Sequence, residues 1–136
     1  MAEQRDSRLS RREAKDLDIE IGFLEGLVRR DPAYVEALEL LGDHYTLRGR
    51  ARESLTIDER LRSLRPDDPN VRFNLACSLA LSGNPESACT ELEQALALGF
   101  RDFRMLQRDP DLAAARKHPA FKRVREKVKA LKAEMS

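Results

Sequence analysis

Apolar positions recur every three or four residues along this chain, in blocks of roughly 12 to 20 residues, the signature of amphipathic helices. The blocks are separated by Asp31-Pro32, the run Pro66-Asp67-Asp68-Pro69, Gly83-Asn84-Pro85, Gly99, Asp109-Pro110 and Pro119. In several of these breaks an acidic or amide residue precedes proline. Its side chain can accept from the free N–H groups of a first helical turn, where proline has no N–H to leave unsatisfied. Leu38, Leu41 and Tyr45 give one helix its apolar stripe, and Leu55, Leu61 and Leu64 offer the following helix a facing stripe. Ser10 and Glu13 stand in capping-box register, so a first helix is expected over 10–30, with residues 1–9 disordered.

The breaks are periodic. Pro32 and Pro66, Leu41 and Leu75, and Gly49 and Gly83 each lie 34 residues apart, and recurrence at such a period marks stacked helical hairpins. Two full units follow, at 35–68 and 69–102. Gly42 and Ala76 occupy the position where the two helices of a hairpin approach closely, and Gly49 and Gly83 supply the positive φ of the tight turn between them. After Gly99 the rhythm fails, and the spacing predicts short helices at about 103–108 and 110–116, then a terminal helix from Pro119. Phe121, Val124, Val128, Leu131 and Met135 form the apolar stripe of that last helix. Residues 10–136 therefore read as one domain, with 103–136 as a cap over the last apolar face.

The quoted positions resemble the tetratricopeptide repeat. Leu38, Leu41-Gly42, Tyr45, Gly49 and Pro66 match its pattern, and Leu75-Ala76, Gly83, Ala88, Ala95 and Leu96 repeat it. The stretch after Gly99, with Asp109-Pro110-Asp111-Leu112 and Pro119-Ala120-Phe121, is similar to the closing segment of many bacterial proteins of this family. The resemblance implies an all-α, right-handed superhelical solenoid of antiparallel helix hairpins with degenerate capping helices at both ends. It also exposes two departures: Asp58 stands where the family usually places a large apolar residue, and Arg62 follows the small position, so this helix is expected to be the more solvated one. Leu92 and Leu96 restore the pattern in the second unit.

Composition narrows the class without changing this picture. Ala, Glu, Lys, Leu and Arg make up more than half of the 136 residues, while only 11 are Val, Ile or Thr, which excludes β and α/β architectures. No apolar run approaches a membrane span and the first residues are charged, so a cytoplasmic, soluble chain is expected. Cys77 and Cys89 match no metal-ligand or redox spacing and read as reduced core thiols. The formal charge of +1 hides a division: residues 1–115 carry 17 basic and 22 acidic groups, residues 116–136 carry 8 and 2. That basic tail, from Arg116 through Lys117, Lys122, Arg123, Arg125, Lys127, Lys129 and Lys132, keeps nucleic-acid binding as an alternative. Its one aromatic, Phe121, belongs to the apolar stripe, so none is left among the charges to stack bases.

Catalytic chemistry finds little support. His44 and His118 read as a helix-surface and a junction residue, the Asp67-Asp68 and Asp109/Asp111 pairs read as helix caps, and neither a phosphate loop nor a metal or cofactor site is expected. The expected function is a non-catalytic adaptor, monomeric or weakly self-associating, that binds a peptide or helix of another protein. The resemblance implies that the first helix of each unit lines the concave face. This places Glu36, Glu39, Asp43 and Leu47 in the groove from the first unit, with Leu40 and Thr46 beside them. Asn70, Phe73 and Asn74 come from the second, with Cys77, Ala80 and Leu81, and Arg104 and Arg108 from the closing segment. Asn74, Arg104 and Arg108 match positions that related domains use to clasp a C-terminal carboxylate, whereas Glu39 and Asp43 invert the charge of that clasp. The resulting expectation is a groove acidic at one end and basic at the other.

Overall fold

The computed structural model describes residues 9–136. The expected disorder of 1–9 falls outside them except for Leu9. Eight α-helices make up the described residues: α1 (Arg11–Arg30), α2 (Val35–Leu47), α3 (Ala51–Leu64), α4 (Pro69–Leu81), α5 (Pro85–Ala97), α6 (Phe103–Arg108), α7 (Ala113–Lys117) and α8 (Phe121–Met135), with a 3₁₀ turn at Pro110–Leu112 before α7. No strand occurs among them. Neighbours in sequence pack as neighbours in space from α1 to α5, after which α8 returns to lie on α5 and the 3₁₀ turn rests on α4.

Local chemistry sets the boundaries. Ser10 caps α1: its hydroxyl accepts from Glu13 N–H at 3.0 Å and its own N–H donates to the Glu13 carboxylate at 3.2 Å. Asp68 accepts from the N–H groups of Asn70 and Val71 at the start of α4, and Asp102 and Asp109 perform the same task for α6 and the 3₁₀ turn. The α2–α3 and α4–α5 turns pass through Gly49 at φ 78° and Gly83 at φ 83°. His118 is more than a junction, because its Nδ1 accepts from Ala120 N–H at 3.0 Å just before α8.

Two apolar clusters hold the helices. Ile21, Leu24 and Val28 of α1 meet Leu38, Leu41 and Tyr45 of α2, Ile57 and Leu61 of α3, and Val71 of α4. Phe73, Ala76 and Ala80 of α4 meet Leu92, Ala95 and Leu96 of α5, Leu106, Leu112, Ala115, and Phe121 and Val124 of α8. Cys77 and Cys89 belong to the second cluster as buried thiols that form no disulfide with each other.

Three expectations are corrected. The inward face of α3 is Ser54, Ile57, Asp58 and Leu61, not Leu55, Leu61 and Leu64; Leu64 is exposed, because the face one helical step away already fills the space against α2 and α4. Asp58 is buried rather than solvated. On α8 the stripe is buried only at Phe121 and Val124, with Val128 and Leu131 partly covered, and Met135, in the last turn, is exposed.

Leu75 of α4 is 1% exposed. Leu75→Ala is expected to cost about 2 to 5 kcal/mol, since buried leucine truncations lose both transfer energy and packing. A thermal melt unchanged within a degree would show that α4 does not depend on this contact.

Candidate functional site

The buried Asp58 is part of a polar seam between the two apolar clusters. Ser78 of α4 donates to Asp58 Oδ2, Ser54 Oγ lies 3.1 Å from Ser78 Oγ, and Thr46 Oγ1 lies 2.7 Å from Ser54 Oγ. Ser54 and Thr46 are each also 3.1 Å from the Gly42 carbonyl. With the Ser78 proton committed to Asp58, Ser54 gives its one proton to Ser78, Thr46 or the Gly42 carbonyl. Hydroxyls from three helices thus form a chain that reaches one carboxylate through Ser78 alone. On the far side of the same junction, buried Glu91 of α5 accepts from Arg62 at 2.8 Å and Arg72 at 3.0 Å. Arg62 therefore carries a tertiary ion pair rather than merely solvating α3.

Asp58 also borders a hollow of about 540 Å³. Gly42, Asp43, Thr46 and Leu47 of α2 form one wall, Phe73, Asn74, Cys77 and Ser78 of α4 the floor, and Met105, Asp109 and Asp111 the closing edge, with Leu9 at the mouth. Its charged lining among the described residues is acidic throughout: Asp43, Asp58, Asp109 and Asp111. Loss of solvation pushes the Asp58 carboxyl up to about 7, with Asp43 adding to the shift and the Ser78 hydrogen bond opposing it. Asp43 is raised as well, again by desolvation, against the opposing influence of His44.

Of the groove residues expected from sequence, Asp43, Leu47, Phe73 and Asn74 border this hollow, as do Thr46 and Cys77. Glu36 and Glu39 of α2 and Asn70 of α4 are exposed but stand outside its lining. Phe73 is no protruding anchor: its ring is buried and stacked on Phe100, centroids 4.5 Å apart, so it presents only a wall. Arg104 and Arg108 are exposed on α6 and absent from the lining, whose closing edge is Met105, Asp109 and Asp111. The hollow itself is acidic at both edges, with Asp43 and Asp58 on one side and Asp109 and Asp111 on the other.

The histidines occupy structural positions, His44 Nε2 lying 2.6 Å from Glu20 Oε2. No group of three or more acidic, histidine or cysteine side chains among the described residues could hold a metal ion. In the basic tail, Arg123 and Lys127 pair with Glu93, Arg116 donates to the Leu106 carbonyl and Arg125 to that of Arg116. Half of the proposed polyanion surface is thus tied to the protein itself. No protein-family model and no curated protein matches the chain.

The signal for Asp58 was its departure from an apolar position, read as solvation when it marked a buried carboxylate. Its raised value fixes a pH dependence. An unfolded aspartate releases its proton near 3.8, whereas folded Asp58 keeps it to about 7. In that window the folded state holds the extra proton, so this group's contribution makes stability fall as pH rises, and the penalty is complete above about 7. Asp58→Asn removes the ionisation. Its stability relative to the parent should rise from pH 4 to pH 8 by on the order of 3 kcal/mol, measured by urea titration. Parallel pH profiles would show that Asp58 ionises without cost.

Proposed function

We propose that this chain is a non-catalytic protein-interaction module of tetratricopeptide-like architecture, its helix pairs wound as a right-handed solenoid. Its acidic hollow takes a segment of a partner protein carrying a lysine or arginine between apolar residues. One observation carries the reading: Asp58, a buried carboxylate with a single hydroxyl donor, borders an open hollow in which no described residue supplies a cation. Burying a charge is costly unless it is paired. An incoming ammonium or guanidinium group would supply that pair, and Asp43 would extend it toward the mouth.

The remaining lining suits a peptide. Leu47 and Met105, 42% and 40% exposed, form apolar shelves on opposite walls. Between them Asn74 can donate to and accept from an extended backbone at once. The polar groups thus fix position while the shelves provide area to bury.

Selection of a random peptide display library on the full chain tests this. The enriched sequences should share a lysine or arginine flanked by apolar residues. Asp58→Asn and Asp43→Asn should each weaken the selected peptides about tenfold or more. Acidic consensus sequences, or affinities unmoved by both substitutions, would contradict the proposed site.

A further inference from the structure

The last helices enclose a second concavity, apart from the acidic hollow and opposite to it in charge. A groove of about 320 Å³ runs between α6 and α8. Its apolar lining comes from Phe103 and Leu106 of α6 and from Phe121, Val124 and Val128 of α8. Leu106, Phe121 and Val124 are buried and form the floor, while Phe103 and Val128, half-buried, leave apolar surface open above it.

Beside this floor α8 sets three cations in a row. Arg125, Lys129 and Lys132 follow one another at four and three residues, the spacing that puts side chains on one helix face, and all three line the groove. Lys132 reaches across from α8 so that its Nζ stands 5.5 Å from the centre of the Phe103 ring, and the Arg125 guanidinium lies 4.9 Å from that of Phe121. Arg125 also donates to the Arg116 carbonyl, a neutral acceptor that leaves its charge uncompensated.

No carboxylate of the chain answers this row. The acidic residues of the two helices and their caps are Asp102, which accepts from Met105 N–H at the start of α6, and Glu126 and Glu134 of α8. None of them lines the groove, and no ion pair among the described residues engages Arg125, Lys129 or Lys132. Cations on the other flank of α8 differ in this respect, since Arg123 and Lys127 share Glu93 of α5. Like charges at such spacing repel one another, and an anion placed among them relieves that cost.

We infer that the α6–α8 groove binds a fatty carboxylate, an unbranched apolar tail with one anionic end. The tail lies on Phe103, Val128 and the floor beneath them, and the carboxylate meets Lys129 and Lys132. Size favours this ligand over a helix of a partner protein: α6 has six residues, a wall of about 9 Å, and the space is that of a small-molecule pocket. Charge placement agrees, because every cation stands on the α8 rim and α6 contributes only the uncharged Gln107 to the polar lining. What occupies the acidic hollow has no bearing on this groove.

Decanoate below its micellar concentration, decylammonium and acetate are titrated into the full chain by calorimetry, with methyl NMR of Leu106, Val124 and Val128 to locate the site. One saturable decanoate site per chain is expected, about tenfold or more tighter than any for decylammonium, with shifts at those methyls and no measurable acetate binding. The double substitution Lys129→Glu with Lys132→Glu changes two exposed side chains, so its thermal melt should match the parent. It should lose about tenfold or more in decanoate affinity and prefer decylammonium. The ligand comparison on the parent decides the matter even where the variant's melt departs. Equal affinities for decanoate and decylammonium would show that the rim selects nothing, and acetate binding as tight as decanoate would leave only a basic surface. Absence of a saturable decanoate site, shifts confined to other methyls, or a folded variant that keeps the parent's decanoate affinity equally overturns the inference.

Discussion

At Gly42, helices α2 and α3 come so close that a Cβ would lie 3.1 Å from Asp58 Oδ1 and 3.4 Å from Ile57 Cγ2. The missing side chain has two consequences. It lets Ile57 pack into the cluster that α1 and α2 build, and it leaves the Gly42 carbonyl for the hydroxyls of Thr46 and Ser54. From there the hydrogen bonds run on to Ser78 of α4 and to Asp58. Three helices are held in register by groups too small to separate them, and the same closeness buries a carboxylate at the edge of an open hollow.

This junction joins two apolar clusters with polar groups, where more leucine would have served stability alone. Buried polar networks fix relative position because each donor and acceptor must be satisfied, and a partly satisfied one is costly. Glu91 is well satisfied, with two arginines on its carboxylate. Asp58 is supplied less fully, with one hydroxyl donor and a pKa raised to about 7 by desolvation. Of these two buried acids, Asp58 is the one whose ionised form is left the less compensated.

Much of the scaffold was legible because it depends on neighbours in sequence. The Ser10–Glu13 box, the cap at Asp68 before Pro69 and the positive φ at Gly49 and Gly83 each need only a few adjacent residues. The site was legible only where it follows helix register, as at Asp43, Leu47 and Asn74. The rest depends on contacts between distant positions. Asp58 meets Ser78 twenty residues away, and Arg62 meets Glu91 twenty-nine away, so a single helix pattern shows neither partner. Phe73 holds a groove-side register position, but Phe100, beyond the next turn, draws its ring inward. Arg104 and Arg108 lie on the short α6, past Gly99 where the 34-residue rhythm fails, and neither lines the hollow.

The most direct measurement is the proton affinity of Asp58 itself, from a ¹³C carboxyl NMR titration of the full chain with Asp58→Asn to assign the signal. The expected midpoint is near 7, far above the ordinary 3.8, with a fall toward the ordinary value once a selected cationic peptide is bound, because a positive charge beside the carboxylate favours its ionised form. A midpoint near 3.8 in the free protein, or one that the bound peptide leaves unmoved, would contradict a buried carboxylate held ready for a cationic partner.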